Sequence, residues 1–237
     1  MGIWPVGKGS RLNRILTVRW SGQLTDGLFQ SALASFVLFS PERAPNAVSA
    51  ALAFAVVLLP YSLIGPYVGT FLDRFSRQRI IRNCNYLRAA NLLIIAWLIN
   101  NSSTGLILTL FVLFAFGVNR LILSGLSAGL PLLVKKEELI AANALAVTGG
   151  TIWVVIGGGL GIAIKNLLSQ SSNADFADAV VILVASAGFF TAGLATYRLN
   201  KYEIGPSENE TLDHARGYKD VLEGLKILRA HFDALVG

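Results

Sequence analysis

The chain has 237 residues, of which 54% are hydrophobic and only 14% charged, and its mean hydropathy is +0.59. A soluble domain of this size needs more charge on its surface. The formal charge of +6 collects at the ends of apolar blocks, which argues against a nucleic-acid partner. Six apolar blocks, each near the roughly 20 residues that cross a bilayer, lie at about 16–39, 47–71, 80–100, 104–127, 140–166 and 177–198. They predict an all-α, polytopic membrane helix bundle of about six transmembrane helices over 1–199, followed by a cytoplasmic unit over 200–237. The single Cys84 excludes an intramolecular disulfide, and His214 and His231 fall in the polar tail, so no metal cluster is expected.

The connections set the topology. Ser40 to Asn46 joins the first two spans, and the uncharged Asn100-Asn101-Ser102-Ser103-Thr104 joins the third and fourth. Arg74, Arg77, Arg79 and Arg82, with Arg88 further on, lie between the second and third, and Lys135 and Lys136 between the fourth and fifth. With the N-terminus inside, 17 of the 20 Lys and Arg are cytoplasmic, Arg43 and Lys165 lie outside, and Arg120 is left within a span. Both termini are therefore expected in the cytoplasm. Lys8, Arg11, Arg14 and Arg19 precede the first apolar run with no cleavage site at signal-peptide distance, so that span reads as uncleaved.

After residue 199 the character changes. Lys201 to Ala215 is polar, is broken by Gly205-Pro206, and reads as a flexible linker. From Gly217 a helical pattern returns, with Tyr218, Val221, Leu222, Leu225, Leu228 and Phe232 on one face. Such a helix suits the cytoplasmic side of the bundle, the lipid headgroups or a partner protein.

Ionisable groups inside spans cost roughly 2.5–3.5 kcal/mol on insertion scales, so they face cavities or partners. Asp26 is mid-span in the first block, with Gln23 and Gln30 on its face; Arg120 is in the fourth, with Ser124 and Ser127 on its face. At 1.5 Å per residue, Asp26 is about 15 Å and Arg120 about 10 Å from the cytoplasmic ends of their helices. The two can pair if those helices are neighbours, as a packing salt bridge or as part of a solute or proton pathway. In the fifth block, Gly149-Gly150 and Gly157-Gly158-Gly159-Leu160-Gly161 suit close helix contact, with a gate or a dimer interface as the alternatives. Between the second and third blocks, Gly69, Asp73, Arg74, Arg77 and Arg79 make a compact charged turn able to latch helix ends. The spans hold no paired carboxylates, histidine cluster or nucleophile constellation, so neither an enzyme nor a cofactor is expected.

The run from Gly69 to Arg79 resembles the signature loop of the major facilitator superfamily of secondary transporters, with Ser76 where a second glycine is usual. Arg120 followed by Gly125 resembles that family's fourth-helix motif, whose arginine is associated with proton coupling. Gly157 to Gly161 is similar to the fifth-helix motif of its antiporters, with Gly158 in the place of the usual proline. Gln23-Leu24-Thr25-Asp26-Gly27 resembles first helices of drug and siderophore exporters. The likeness runs from about residue 12 to 235 and implies the N-terminal six-helix half plus the linking cytoplasmic helix. It also implies that the first and fourth helices line a central cavity and bring Asp26 and Arg120 together.

In that family the substrate binds between two six-helix halves. The expectation is therefore a plasma-membrane exporter of small amphipathic molecules, met as a truncated or split form, or as a half completed by a second half or by homodimerisation. The alternative is a non-transporting scaffold or regulatory subunit that associates through the fifth-helix glycines or the 217–235 helix.

Overall fold

The computed structural model describes residues 11–33, 69, 72, 75–103, 105–169 and 173–206. Within them the chain forms α1 (Arg11–Leu33), α2 (Arg77–Asn100), α3 (Leu106–Gly129), α4 (Leu139–Ser169) and α5 (Ala174–Ala195). Short 3-10 turns at Leu130–Leu132 and Lys136–Glu138 lead from α3 to α4, and one at Thr196–Arg198 follows α5. Five of the six expected spans thus have a helix. The second, 47–71, lies outside the described residues apart from Gly69, as do Asp73, Arg74 and the stretch from Gly217.

Turn chemistry sets the helix ends. After α2 the backbone N–H groups of Ser102 and Ser103 donate back to Ile99 and Leu98 oxygens at 2.8 and 2.9 Å. The chain then reverses through Gly105 at φ +119°, a conformation open to glycine and strained for other residues. Pro131 has no N–H to continue the ladder and sits in the 3-10 turn that closes α3. Asp175 stands in the first turn of α5, where the helix dipole favours a carboxylate, and accepts from Ser102 Oγ at 2.8 Å.

α1 packs chiefly on α4 and α5, and α2 on α5 and α3. The buried apolar residues form two clusters. One holds Leu12, Leu16, Ile81, Leu126 and Ile204, at the end of the bundle rich in Arg and Lys. The other holds Phe29, Leu92, Ile99, Ala115 and Phe189. On α1 the buried members of the first cluster stop at Val18 and those of the second begin at Leu28; on α2 the break falls between Cys84 and Ala89; on α3 it falls between Ile122 and Ala115. The interval holds the buried polar residues Arg19, Asp26, Asn85 and Arg88. A polar layer therefore divides the core.

Lipid offers no partner to a backbone or side-chain polar group, so inward polar residues bind neighbouring helices. Asn91 Nδ2 of α2 donates to Phe111 O of α3 at 2.9 Å, and Ser186 Oγ of α5 donates to Ala89 O of α2 at 2.8 Å. Large apolar side chains point outward, among them Ile107, Phe114, Ile152, Val155, Leu160 and Phe190. Leu106–Leu132, Lys136–Ser169 and Ala174–Arg198 are each long and apolar enough to cross a membrane. α1 and α2 are less apolar because they carry most of the polar layer.

Residues 199–206 depart from the expected flexible linker. Leu199 and Ile204 are 2% and 0% exposed, and Ile204 packs on Gly129 at the end of α3. The segment is docked because it satisfies several helix ends at once. Arg14 of α1 donates to Glu203 Oε1 at 2.8 Å and to Arg198 O at 3.0 Å. Arg77 of α2 donates to Ile204 O at 3.1 Å and to Ala128 O at 3.2 Å, and Ser76 Oγ donates to Lys201 O. Residues 199–206 are thus held against the ends of α1, α2 and α3.

Candidate functional site

Asp26 of α1 and Arg88 of α2 meet in the polar layer. Arg88 donates through Nη2 to Asp26 Oδ1, and through Nη1 to Asn119 Oδ1 of α3 at 3.1 Å. Its guanidinium lies 3.8 Å over the Phe189 ring of α5. The Arg88 and Asp26 side chains are 1% and 4% exposed. Four helices therefore converge on one guanidinium. A pair this deep is stable only while both charges are present, since losing either strands the other away from water.

Beside the pair lies a small cleft of about 10 Å³, room for about one water molecule. Its polar lining is Arg19, Gln23, Asp26, Asn85, Arg88 and Asn119, and Ile122, Leu123 and Leu126 give it an apolar wall. Arg19, Gly22, Gln23 and Asp26 follow one another at i, i+3, i+4 and i+7, a single stripe of α1 facing the cleft. An added Cβ on Gly22 would meet nothing within 4 Å, so the space beside it is open. Arg19 Nη1 donates to Ser127 Oγ of α3 at 3.2 Å.

The position of that stripe depends on a backbone contact with α4. A methyl group on Gly157 would overlap Leu24 O, one on Gly161 would overlap Ser31 Oγ, and one on Gly27 would overlap Val154 O. Only glycine allows helix axes this close. The fifth-block glycines expected from the sequence as a contact face lie against α1 of the same chain. Gly125 is buried on α3 beside Leu72 and Ile81.

The remaining expected site residues are scattered. Gln23 is half-buried in the cleft, Ser124 is half-buried on α3, and Gln30 is exposed. Arg120 is exposed, so the expected Asp26–Arg120 pair does not form and Arg88 takes its place. The reason is the 100° turn per helical residue: the α3 face that meets Asp26 and Arg88 presents Asn119, one position away. Gly69 and Arg79 are exposed, and Arg77 binds the 204–205 turn. Arg19 and Arg88, counted among the cytoplasmic charges, are 8% and 1% exposed inside the bundle. A signal for Arg88 was present in Asn85, Arg88 and Asn91, a polar stripe at i, i+3 and i+6 like those of the first and fourth spans.

Long apolar helices with outward-facing Leu, Ile, Val and Phe around a polar layer define an all-α, multi-pass membrane helix bundle. Over 211 residues, 89% of its length, the chain is 34% identical to proteins described as uncharacterized MFS-type transporters in Mycobacterium bovis and Mycobacterium tuberculosis. In sequence the bundle is thus similar to transporters of the major facilitator type. The chain spans about half the length of the curated relatives it matches, 47% of each. No family profile and no solved structure matches it.

Proposed function

We propose that this chain forms one half of a secondary active transporter of the major facilitator type, exporting small amphipathic molecules such as drugs or siderophores by alternating access. The observation that carries this reading is the cleft in the polar layer, where a buried carboxylate–guanidinium pair lies beside an apolar wall. Intramembrane ionisable groups facing a cavity mark solute and proton routes. In this reading Asp26 responds to protonation or to substrate charge, with Arg88 as its counter-ion where the sequence suggested Arg120. Gln23 and Asn119 offer uncharged hydrogen-bonding groups along the route.

The basic end of the bundle, with Arg11, Arg14, Arg77, Arg79 and Lys201, is then cytoplasmic, and the protein sits in the plasma membrane. Arg77 and the 199–206 segment join α1, α2 and α3 there, and release of these contacts would accompany opening to the cytoplasm. A scaffold that dimerised through the α4 glycines would need a face that α1 covers.

The test is efflux of fluorescent amphipathic dyes from cells in which the chain forms part of a complete transporter. Asp26→Asn is expected to abolish efflux while membrane insertion is retained. Normal efflux by that variant would remove Asp26 from the mechanism.

A further inference from the structure

We infer that the outer seam between α2 and α5 binds the head group of an anionic phospholipid at the basic end of the bundle, anchored by Arg82. Along α2, Arg79, Arg82, Tyr86, Leu93 and Trp97 follow at i, i+3, i+7, i+14 and i+18, a single stripe of the helix. Arg88, six residues after Arg82, is turned inward to Asp26 instead. On α5 and the turn after it, the exposed Leu183, Phe190, Leu194 and Tyr197 form a second outward stripe.

The two stripes touch through their aromatic residues. The Arg82 guanidinium lies 4.9 Å over the Tyr197 ring, and the Tyr86 and Phe190 rings are 5.4 Å apart. A methyl group on Gly193 would overlap the Tyr86 ring, so glycine is what admits tyrosine to the seam. Arg82 Nε also donates to Asn83 Oδ1 at 3.4 Å, which helps to fix the guanidinium. Gln78 Nε2 donates to Thr196 O at 3.2 Å and brings the α2 start level with the turn after α5.

Both stripes change character at that level. Arg79 and Trp97 are separated by about 27 Å of helix, close to the roughly 30 Å of a hydrocarbon core. Aromatic side chains at both ends of an outward stripe mark the two interfaces of a bilayer. Arg82 and Tyr197 then stand among head groups, with Leu93, Phe190 and Leu194 against acyl chains. The guanidinium fork of Arg82 suits a phosphate diester, which accepts paired hydrogen bonds. Every phospholipid has that phosphate. The exposed Arg79 and Arg198 add positive charge at the same edge, and so favour a head group of net negative charge. These residues lie outside the polar layer, so the site stands or falls separately from the transport reading.

The experiment is native mass spectrometry of the full chain in mild detergent, titrated with phosphatidylglycerol or with phosphatidylcholine of the same acyl chains. Phosphatidylglycerol is expected to bind more tightly. Arg82→Gln should weaken it about fivefold, the scale of one basic residue at an anionic surface. Tyr197→Leu should weaken it as well, and Tyr197→Phe, which keeps the ring beneath the guanidinium, should not. Lys136→Gln removes one exposed charge from the turn before α4, away from the seam, and should leave binding unchanged. Phosphatidylcholine binding retained by each variant shows that the bundle is intact. Equal affinity for the two lipids would overturn the site. Equal losses from Arg82→Gln and Lys136→Gln would also overturn it, since attraction would then belong to the whole basic end and not to the seam.

Discussion

Asp26 and Glu203 are both carboxylates held by arginines, at opposite extremes of setting. Asp26 meets Arg88 inside the polar layer, with both side chains almost wholly buried. Glu203 is itself only 5% exposed, but its partners Arg14 and Arg11 are 32% and 68% exposed at the rim of the basic end. The inner pair cannot exchange its partner for water, whereas the outer arginines can. The same chemistry therefore serves two purposes, setting the identity of the core in one place and fastening helix ends reversibly in the other.

The largest test of that contrast is Asp26→Ala. It leaves Arg88 buried without its counter-ion and is expected to cost about 3–5 kcal/mol, read as reduced resistance to unfolding in mild detergent. The double variant Asp26→Leu with Arg88→Met should recover most of that loss, since removing both charges removes the stranded one. A double variant no better than the single would mean that the pair contributes more than mutual neutralisation.

A smaller effect is expected where α4 fixes the position of the Asp26 stripe. Gly157→Val drives a branched side chain against the Leu24 carbonyl and should cost about 1–3 kcal/mol, the range for overpacking. Gly159→Ala, two positions away in open space, should be neutral or slightly stabilising. Equal losses at both glycines would show that helix propensity, and not the α1 contact, is what glycine provides.

The smallest effect belongs to the outer node. Glu203→Gln is expected to cost about 1 kcal/mol at low ionic strength, and less as salt screens the exposed arginines. A salt-independent loss as large as that of Asp26→Ala would erase the distinction between the two sites.

Much of the molecule was legible in the chain because bilayer-crossing helices need long apolar runs, and five of the six blocks coincide with helices among the described residues. Asp26 stood out because a carboxylate in an apolar block is costly and therefore has a reason to be there. Arg88 did not, because it follows Arg77, Arg79 and Arg82 so closely that it reads as one more flanking charge. Arg19 was hidden in the same way behind Arg11 and Arg14. The polar run after residue 199 looked like a linker because its docking relies on main-chain carbonyls of Arg198, Lys201 and Ile204, and a carbonyl is present at every residue whatever its side chain.

The sequence by itself determined the class of protein, the helices and the presence of ionisable groups inside them, since composition and periodicity are local properties. Tertiary structure alone decided that Arg88 and not Arg120 meets Asp26, that the α4 glycines face α1, and that Arg19 lies buried beside Ser127 of α3. Those outcomes depend on which helices adjoin and how each is rotated about its axis. A step of one residue turns a side chain by 100°, and spacing along one helix cannot show what the neighbouring helix presents.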